Sequence, residues 1–257
     1  MEQKYALVTG ASKGMGRAIA LQLAKDGYDV ICHYNKSKAK AEALQHEIES
    51  LNRSCVLVNA DVTKDDQVKA MFQKISSKVG SLDLLVNNAG FDHGFLFEDY
   101  TFEQMRYVLD IVLWSKITVT KFALPLLKKS KGACVINIAS RMGKEKTVKT
   151  VSIYGPAQAG VIKFTQCCAL EFADYKIRVN CVAPGLTHTD LTNNIFIRDA
   201  GNQENANKLW DEMAKRNPSG RVAEPQDIAN AVSFLASDKA SYINGETIGV
   251  NGGSNLG

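Results

Sequence analysis

The sequence predicts an α/β protein in which helices cover both faces of a parallel sheet. Short apolar runs of strand character alternate with longer segments of helical period along the chain, the pattern that crossover connections produce. A chain of 257 residues, 45 % hydrophobic and 23 % charged, also suits one domain with a large buried core. The expected organisation is a single domain over residues 1–257, with a polar flap inserted at about 190–218.

The predicted strands are Tyr5-Thr9, Asp29-His33, Cys55-Asn59, Leu82-Asn87, Ala133-Ala139, Ile177-Val182 and Glu246-Val250. The first helix opens near Gly14, sets Ile19, Leu23 and Ala24 on one face, and stops at Asp26-Gly27, where glycine permits the left-handed turn that ends a helix. Further helices are expected over about 36–51, 65–79, 101–128, 152–173 and 225–237. From Asp190 to Pro218 the chain is polar and rich in Asn, which interrupts this rhythm. Such a stretch reads as a mobile flap over a pocket or as an ordinary surface insertion.

The formal net charge of +4 is too small to imply a nucleic-acid or membrane partner. Six cysteines include no C-x-x-C pair, and Cys32, Cys55, Cys134 and Cys181 fall inside apolar strand-like runs, where cysteine behaves as a small hydrophobe. Reduced core thiols in a cytoplasmic protein, with no metal site, are the expectation. No apolar run reaches the roughly 20 residues a membrane helix requires, so neither export nor anchoring is expected.

The turn Thr9-Gly10-Ala11-Ser12-Lys13-Gly14-Met15-Gly16 follows the first strand and opens the first helix. Free backbone N–H groups and the helix dipole attract a pyrophosphate at such a junction, and glycine lets the backbone approach it. Glycines also occur in plain loops, but here they stand in the β-α-β setting that the motif demands. At the end of the second strand, an NAD site would place a carboxylate on the ribose 2′-hydroxyl. This chain has His33-Tyr34-Asn35-Lys36-Ser37. With Asn35 there, and with Lys13 and Lys36 nearby, a 2′-phosphate would meet positive charge. NADP(H) is therefore preferred as the cofactor and NAD(H) is the alternative; the competing reading makes both lysines solvated surface residues.

Together with Asn87-Asn88-Ala89-Gly90 after the fourth strand, Ser140 after the fifth, Tyr154 on the helix that follows, and Pro184-Gly185 after the sixth, these residues resemble the short-chain dehydrogenase/reductase family. The ending, with Arg221-Val222-Ala223-Glu224-Pro225 and Gly245-Glu246-Thr247, is similar to the branch of 3-oxoacyl-acyl carrier protein reductases. The resemblance implies a Rossmann-like doubly wound sheet of seven strands, a nicotinamide cofactor and commonly a homotetramer. It implies that Gly10, Ser12, Gly14 and Gly16 cradle the pyrophosphate and that Asp61 and Val62 border the adenine. Asn87, Ala89 and Gly90 would border the adenine ribose and support the central strands, while Pro184, Gly185, Thr187 and Thr189 would line the nicotinamide.

By the same resemblance, Ser140 polarises a substrate carbonyl and Tyr154 protonates its oxygen. The family's lysine, one helical turn past the tyrosine, holds the nicotinamide ribose and lowers the tyrosine pKa; here the position is Gln158, which can hydrogen-bond a ribose but brings no charge. A free tyrosine, with a pKa of about 10, is only about one part in a thousand ionised at about pH 7. Reduction, which uses neutral tyrosine as acid, is thus favoured over oxidation, and turnover should be slower by the roughly 10²–10⁴ that a positioned acid–base group supplies. A second departure is Val112, where the resemblance implies an asparagine whose side chain marks an irregularity in the long helix. Lys116, one turn further on, together with Arg141, Lys144, Lys146 and Lys149, could replace the missing charge; basic residues are more ordinarily solvated or at a subunit interface.

The expected activity is NADPH-dependent reduction of a small carbonyl compound, 3-oxoacyl-like and carried as an acyl carrier thioester or free. The basic residues Lys128, Lys129 and Lys131 could attract such a carrier. Two other readings stand beside it: a cofactor-binding subunit that does not turn over, paired with an active paralogue in a mixed oligomer, and a non-redox dehydratase or isomerase using Tyr154, His93 or His188.

Overall fold

The computed structural model describes residues 3–90, 94–144 and 147–254. Among them lie strands β1 (Tyr5–Val8), β2 (Asp29–Tyr34), β3 (Cys55–Asn59), β4 (Leu84–Asn87), β5 (Cys134–Ile138), β6 (Arg178–Pro184) and β7 (Thr247–Val250). They form one seven-stranded parallel sheet in the order β3-β2-β1-β4-β5-β6-β7. The chain builds outward from β1 to β3, then crosses back to β4 and builds the other way. The order therefore reverses between β1 and β4, and the carboxyl ends of those strands leave the crevice in which such sheets bind ligands.

Successive strand residues point to opposite faces, so each strand feeds two cores. Leu7, Ile31, Leu85, Val135 and Val179 face one; Val8, Val30, Val86, Ile136 and Val182 face the other, and all are buried. The helices that cover them are α1 (Gly14–Lys25), α2 (Lys38–Ser50), α3 (Asp65–Ser76), α4 (Phe102–Leu109), α5 (Ser115–Leu127), α6 (Tyr154–Glu171), α7 (Asp190–Ala200), α8 (Gln203–Arg216) and α9 (Pro225–Ala236). Val68, Met71, Phe72 and Ile75 of α3 pack into the first core, and Ile228, Val232 and Leu235 of α9 into the second.

Two elements are more specific than the expectations. The helix predicted over 101–128 is not uniform: α4 and α5 are joined by a π-helical turn at Asp110–Trp114, which buries Ile111 and Val112. The extra residue in such a turn re-aims the side chains that follow it. The segment 190–218, read as a polar flap or a surface insertion, is built of the pair α7 and α8. Thr189 caps α7, Asn202 caps α8, and Gly201 takes the left-handed conformation between them at φ 84°. Trp210 locks the pair, its ring 4.4 Å from Phe196 and its Nε1 donating to Asn193 Oδ1 at 3.1 Å. A polar surface composition concealed this one buried indole.

The six cysteines are free, with Cys167 exposed and the others buried. None of the described helices is long and apolar enough to cross a membrane.

Candidate active site

The turn after β1 is built by close backbone approach. Gly10 adopts φ 66° and Gly14 φ 55°, conformations that side chains resist, and a Cβ on Gly16 would stand 2.2 Å from the carbonyl oxygen of Gly10. Thr9 Oγ1 accepts the backbone N–H groups of Asn88 and Ala89 at 2.9 and 3.0 Å, and Asn88 Nδ2 donates back to the Thr9 carbonyl at 2.9 Å. The loop after β4 is thereby strapped to the glycine turn across the switch point.

His33 completes the scaffold. Its Nδ1 accepts the Gly10 N–H at 3.0 Å while Nε2 faces the Ala60 carbonyl at 3.0 Å, which places the proton on Nε2. Burial lowers its pKa, with the Ala60 hydrogen bond and Asp61 opposing, so the ring stays neutral while it holds the turn. Position alone, at the end of a strand, was the signal available for this role.

Above these strand ends lies a cavity of about 500 Å³, and Gly10, Ser12, Lys13, Gly14, Met15, Gly16, Asn35, Lys36, Asp61, Val62, Ala89, Gly90 and Thr189 all line it. A second cavity, of about 310 Å³, contains Ser140, Tyr154, Gln158, Pro184, Gly185 and Thr187. Met15, Asn88, Gly90, Thr189 and Leu191 belong to both walls, so the two are continuous. Asn87 lines neither. It is buried in the sheet, where its Nδ2 donates to Thr120 Oγ1 and Asn137 Oδ1 at 2.9 Å each, and Asn137 continues the chain to Thr165. Its part is to tie β4 to β5 and α5.

Ser140 leaves β5 in extended conformation and caps a short 3₁₀ turn, its Oγ accepting the Met142 N–H at 3.2 Å. Tyr154 opens α6, and Gln158 sits one turn later on the buried side. A Cβ on Gly143 would stand 2.5 Å from the Gln158 carbonyl carbon, so the 3₁₀ turn rests directly on α6 and fixes serine and tyrosine on one wall. Gln158 is 4 % exposed, and its Oε1 is a buried acceptor without a hydrogen-bond partner among the described residues.

Of the basic residues weighed as substitutes for lysine, one is inside. Lys116 is 3 % exposed, lines the second cavity, and donates from Nζ to the Ala89 carbonyl at 2.9 Å. Burial lowers its pKa to about 8, the neighbouring Cys181 acting weakly the other way. Arg141 is half-buried and bonded to Ser254 Oγ at 2.8 Å; Lys144 and Lys149 are exposed, and Lys146 lies outside the described residues. His188 is exposed, with its ring edge-on to Trp210 at 4.6 Å, and His93 lies outside the described residues. Lys128, Lys129 and Lys131 precede β5, at the opposite end of the sheet from the crevice.

Residues 10–255 match the profile of the family described as enoyl-(acyl carrier protein) reductase. The chain is also 40 % identical over 250 residues to the 3-oxoacyl-(acyl-carrier-protein) reductase FabG of Staphylococcus epidermidis, covering 97 % of this chain and 98 % of that protein. This chain belongs to the short-chain dehydrogenase/reductase family. Solved members superpose closely: levodione reductase at a TM-score of 0.92 and 30 % identity, covering 98 % of each chain. A short-chain dehydrogenase from Burkholderia cenocepacia, solved in complex with NADP, aligns at a TM-score of 0.88 and 30 % identity, again over 98 % of each chain. This likeness makes the chain an NAD(P)-dependent oxidoreductase by class, and the switch-point crevice described above is where it presents its glycine turn.

Proposed function

We propose that this protein is an NADPH-dependent carbonyl reductase for a 3-oxoacyl or similar compound, with altered proton handling. The observation that carries the reading is the placing of Ser140 and Tyr154 on one wall of a cavity continuous with the glycine-lined crevice. Two features of the chain fit the cofactor. The turn at Gly10 to Gly16 leaves a cradle that a Cβ would fill, and Gln158 Oε1 is a buried acceptor suited to a ribose hydroxyl. In this reading Gly10, Ser12, Gly14, Met15 and Gly16 bind the pyrophosphate. Lys13, Asn35 and Lys36 receive the 2′-phosphate, Asp61 and Val62 flank the adenine, and Ala89, Gly90, Pro184, Gly185, Thr187 and Thr189 hold the remainder. The bound cofactor supplies hydride.

The chain supplies everything else. Ser140 donates its hydroxyl to the substrate carbonyl oxygen, and the Tyr154 phenol passes its proton to the same oxygen as it becomes an alkoxide. Val112 keeps a backbone carbonyl in the π turn but removes a polar side chain. Leu191, Thr192 and Ile195 of α7 line the same cavity as Ser140 and Tyr154. The 40 % identity to a 3-oxoacyl-(acyl-carrier-protein) reductase supports an acyl thioester as substrate; in this reading the assembly is a cytoplasmic homotetramer.

A second reading, a cofactor-binding subunit without turnover, is favoured by the neutral Gln158 and the apolar Val112. Consumption of NADPH or NADH, followed with a panel of 3-oxoacyl thioesters and simple ketones, separates the two. Faster turnover with NADPH and an acyl thioester supports the reductase; tight NADPH binding with no consumption on any carbonyl supports the second.

A further inference from the structure

Lys116 is a buried cation that the roles assigned above leave unused, and the inference drawn from it rests on the carbonyl-reductase reading. Ammonium groups are rarely enclosed, because leaving water is costly unless the charge is answered. Here the bond to Ala89 uses one of three N–H donors. The cavity that Lys116 lines is shared by Tyr154 and Gln158 from α6, Asn88 from the β4 loop and Arg141 beyond Ser140, with Cys181 of β6 as an electrostatic neighbour of the ammonium. Among the described residues that line the cavity there is no carboxylate, so nothing on its wall neutralises the charge. A Cβ on Gly90 would stand 3.8 Å from Nζ, which shows how close the ammonium comes to the cavity floor.

We propose that Lys116 delivers, from α5, the positive charge that acts on the Tyr154 phenol, leaving Gln158 on α6 as an uncharged hydrogen-bonding partner. The two helices share the work, α5 bringing the charge and α6 the ribose contact. A cation within about 4–6 Å favours the ionised form of an acid, so Lys116 makes Tyr154 a better proton donor during reduction. With a pKa near 8, Lys116 remains largely protonated at about pH 7, so the charge is present when it is needed. The π turn explains how a residue on α5 comes to face this cavity, since it changes the angular position of every side chain after Trp114. Lys116 is a positioning residue in this scheme, acting through Tyr154.

The test compares wild type, Lys116→Met, and Lys116→Met combined with Gln158→Lys, each alone and in a Tyr154→Phe background. Ultraviolet titration of tyrosinate, differenced between each protein and its matched Tyr154→Phe counterpart, isolates one phenol among the eight tyrosines without cofactor or substrate. Because Lys116 itself releases its proton at about 8, its charge reaches the phenol only if Tyr154 ionises below that point in wild type. The expected result is such a midpoint, raised by at least about a hundredfold in ionisation constant in Lys116→Met and restored when lysine is placed at 158. NADPH turnover should fall by about 10²–10⁴ in Lys116→Met and recover in the double variant, with NADPH affinity by fluorescence changing much less. Unaltered Tyr154 titration in Lys116→Met overturns the proposal. Because that titration needs no substrate, a wild type without carbonyl turnover defeats the proposed function while leaving the role of Lys116 decided. Should Lys116→Met fail to fold, NMR of isotope-labelled lysine in wild type serves instead: Tyr154 ionisation must perturb the Lys116 resonance, and an indifferent Lys116 overturns the proposal.

Discussion

Lys116 Nζ donates to the carbonyl oxygen of Ala89 at 2.9 Å, tying the start of α5 to the loop after β4. This bond fixes a charged group beneath the switch-point crevice, and its cost is readable in stability. An ordinary lysine titrates near 10.5, whereas burial lowers Lys116 to about 8. Between those values the unfolded chain binds more protons than the folded one, so stability rises with pH through that window as the burial penalty disappears. In a Tyr154→Phe background, where no tyrosinate can hold the lysine charged, the protein with Lys116 should gain about 3 kcal/mol over Lys116→Met between about pH 8 and pH 10.5. Urea melts of both proteins across this range measure it, and a pH-independent difference contradicts the assignment.

Gly16→Ala should damage the cradle itself. Its new Cβ meets the Gly10 carbonyl at 2.2 Å and Asn88 Nδ2 at 2.5 Å, and backbone cannot yield as a flexible side chain does. Overpacking of this kind costs about 1–3 kcal/mol, and NADPH affinity should fall at least about tenfold as the turn moves. Thermal melts with fluorescence titration read both effects.

Lys13 and Lys36 test cofactor choice. Both are exposed on the wall of the larger cavity. Charge-assisted bonds to a phosphate are worth about 1.5–3 kcal/mol, so Lys13→Gln with Lys36→Gln should weaken NADPH by about 10–100-fold and leave NADH nearly unchanged. Equal loss for the two cofactors would show that neither lysine meets the 2′-phosphate.

Trp210→Ala should loosen the α7–α8 pair, because the indole packs on Phe196 and bonds Asn193. Truncating a buried tryptophan costs about 3–5 kcal/mol. Since Leu191, Thr192 and Ile195 of α7 line the smaller cavity, KM should rise more than kcat falls. Steady-state kinetics below the new melting temperature decide this.

The strands and the glycine turn were legible because their signals are local: alternation of apolar runs with helical period, and glycine at a strand-to-helix junction. The same locality hid other features. A lysine within a helical pattern ordinarily reaches water, and only the packing of α5 against the β4 loop shows that Lys116 does not. Asn87 stands in a motif that resembles a ligand contact, yet it is buried and its Nδ2 is consumed by Thr120 of α5 and Asn137 of β5. Segment 190–218 read as a flap because Asn and charged residues dominate it, while the two helices depend on caps at Thr189 and Asn202 and on one buried indole. The π turn left no mark in local propensity, since Ile111 and Val112 suit a regular helix equally well, and only the family resemblance pointed to an irregularity at 112.

The central claim is that Tyr154 still moves a proton in a site where position 158 is uncharged. NADPH consumption with a 3-oxoacyl thioester, measured for wild type and Tyr154→Phe at equal cofactor saturation, tests it most directly. The account predicts measurable wild-type turnover that falls by about 10²–10⁴ on loss of the phenol hydroxyl. Equal rates in the two proteins, or bound NADPH that neither consumes, would contradict it.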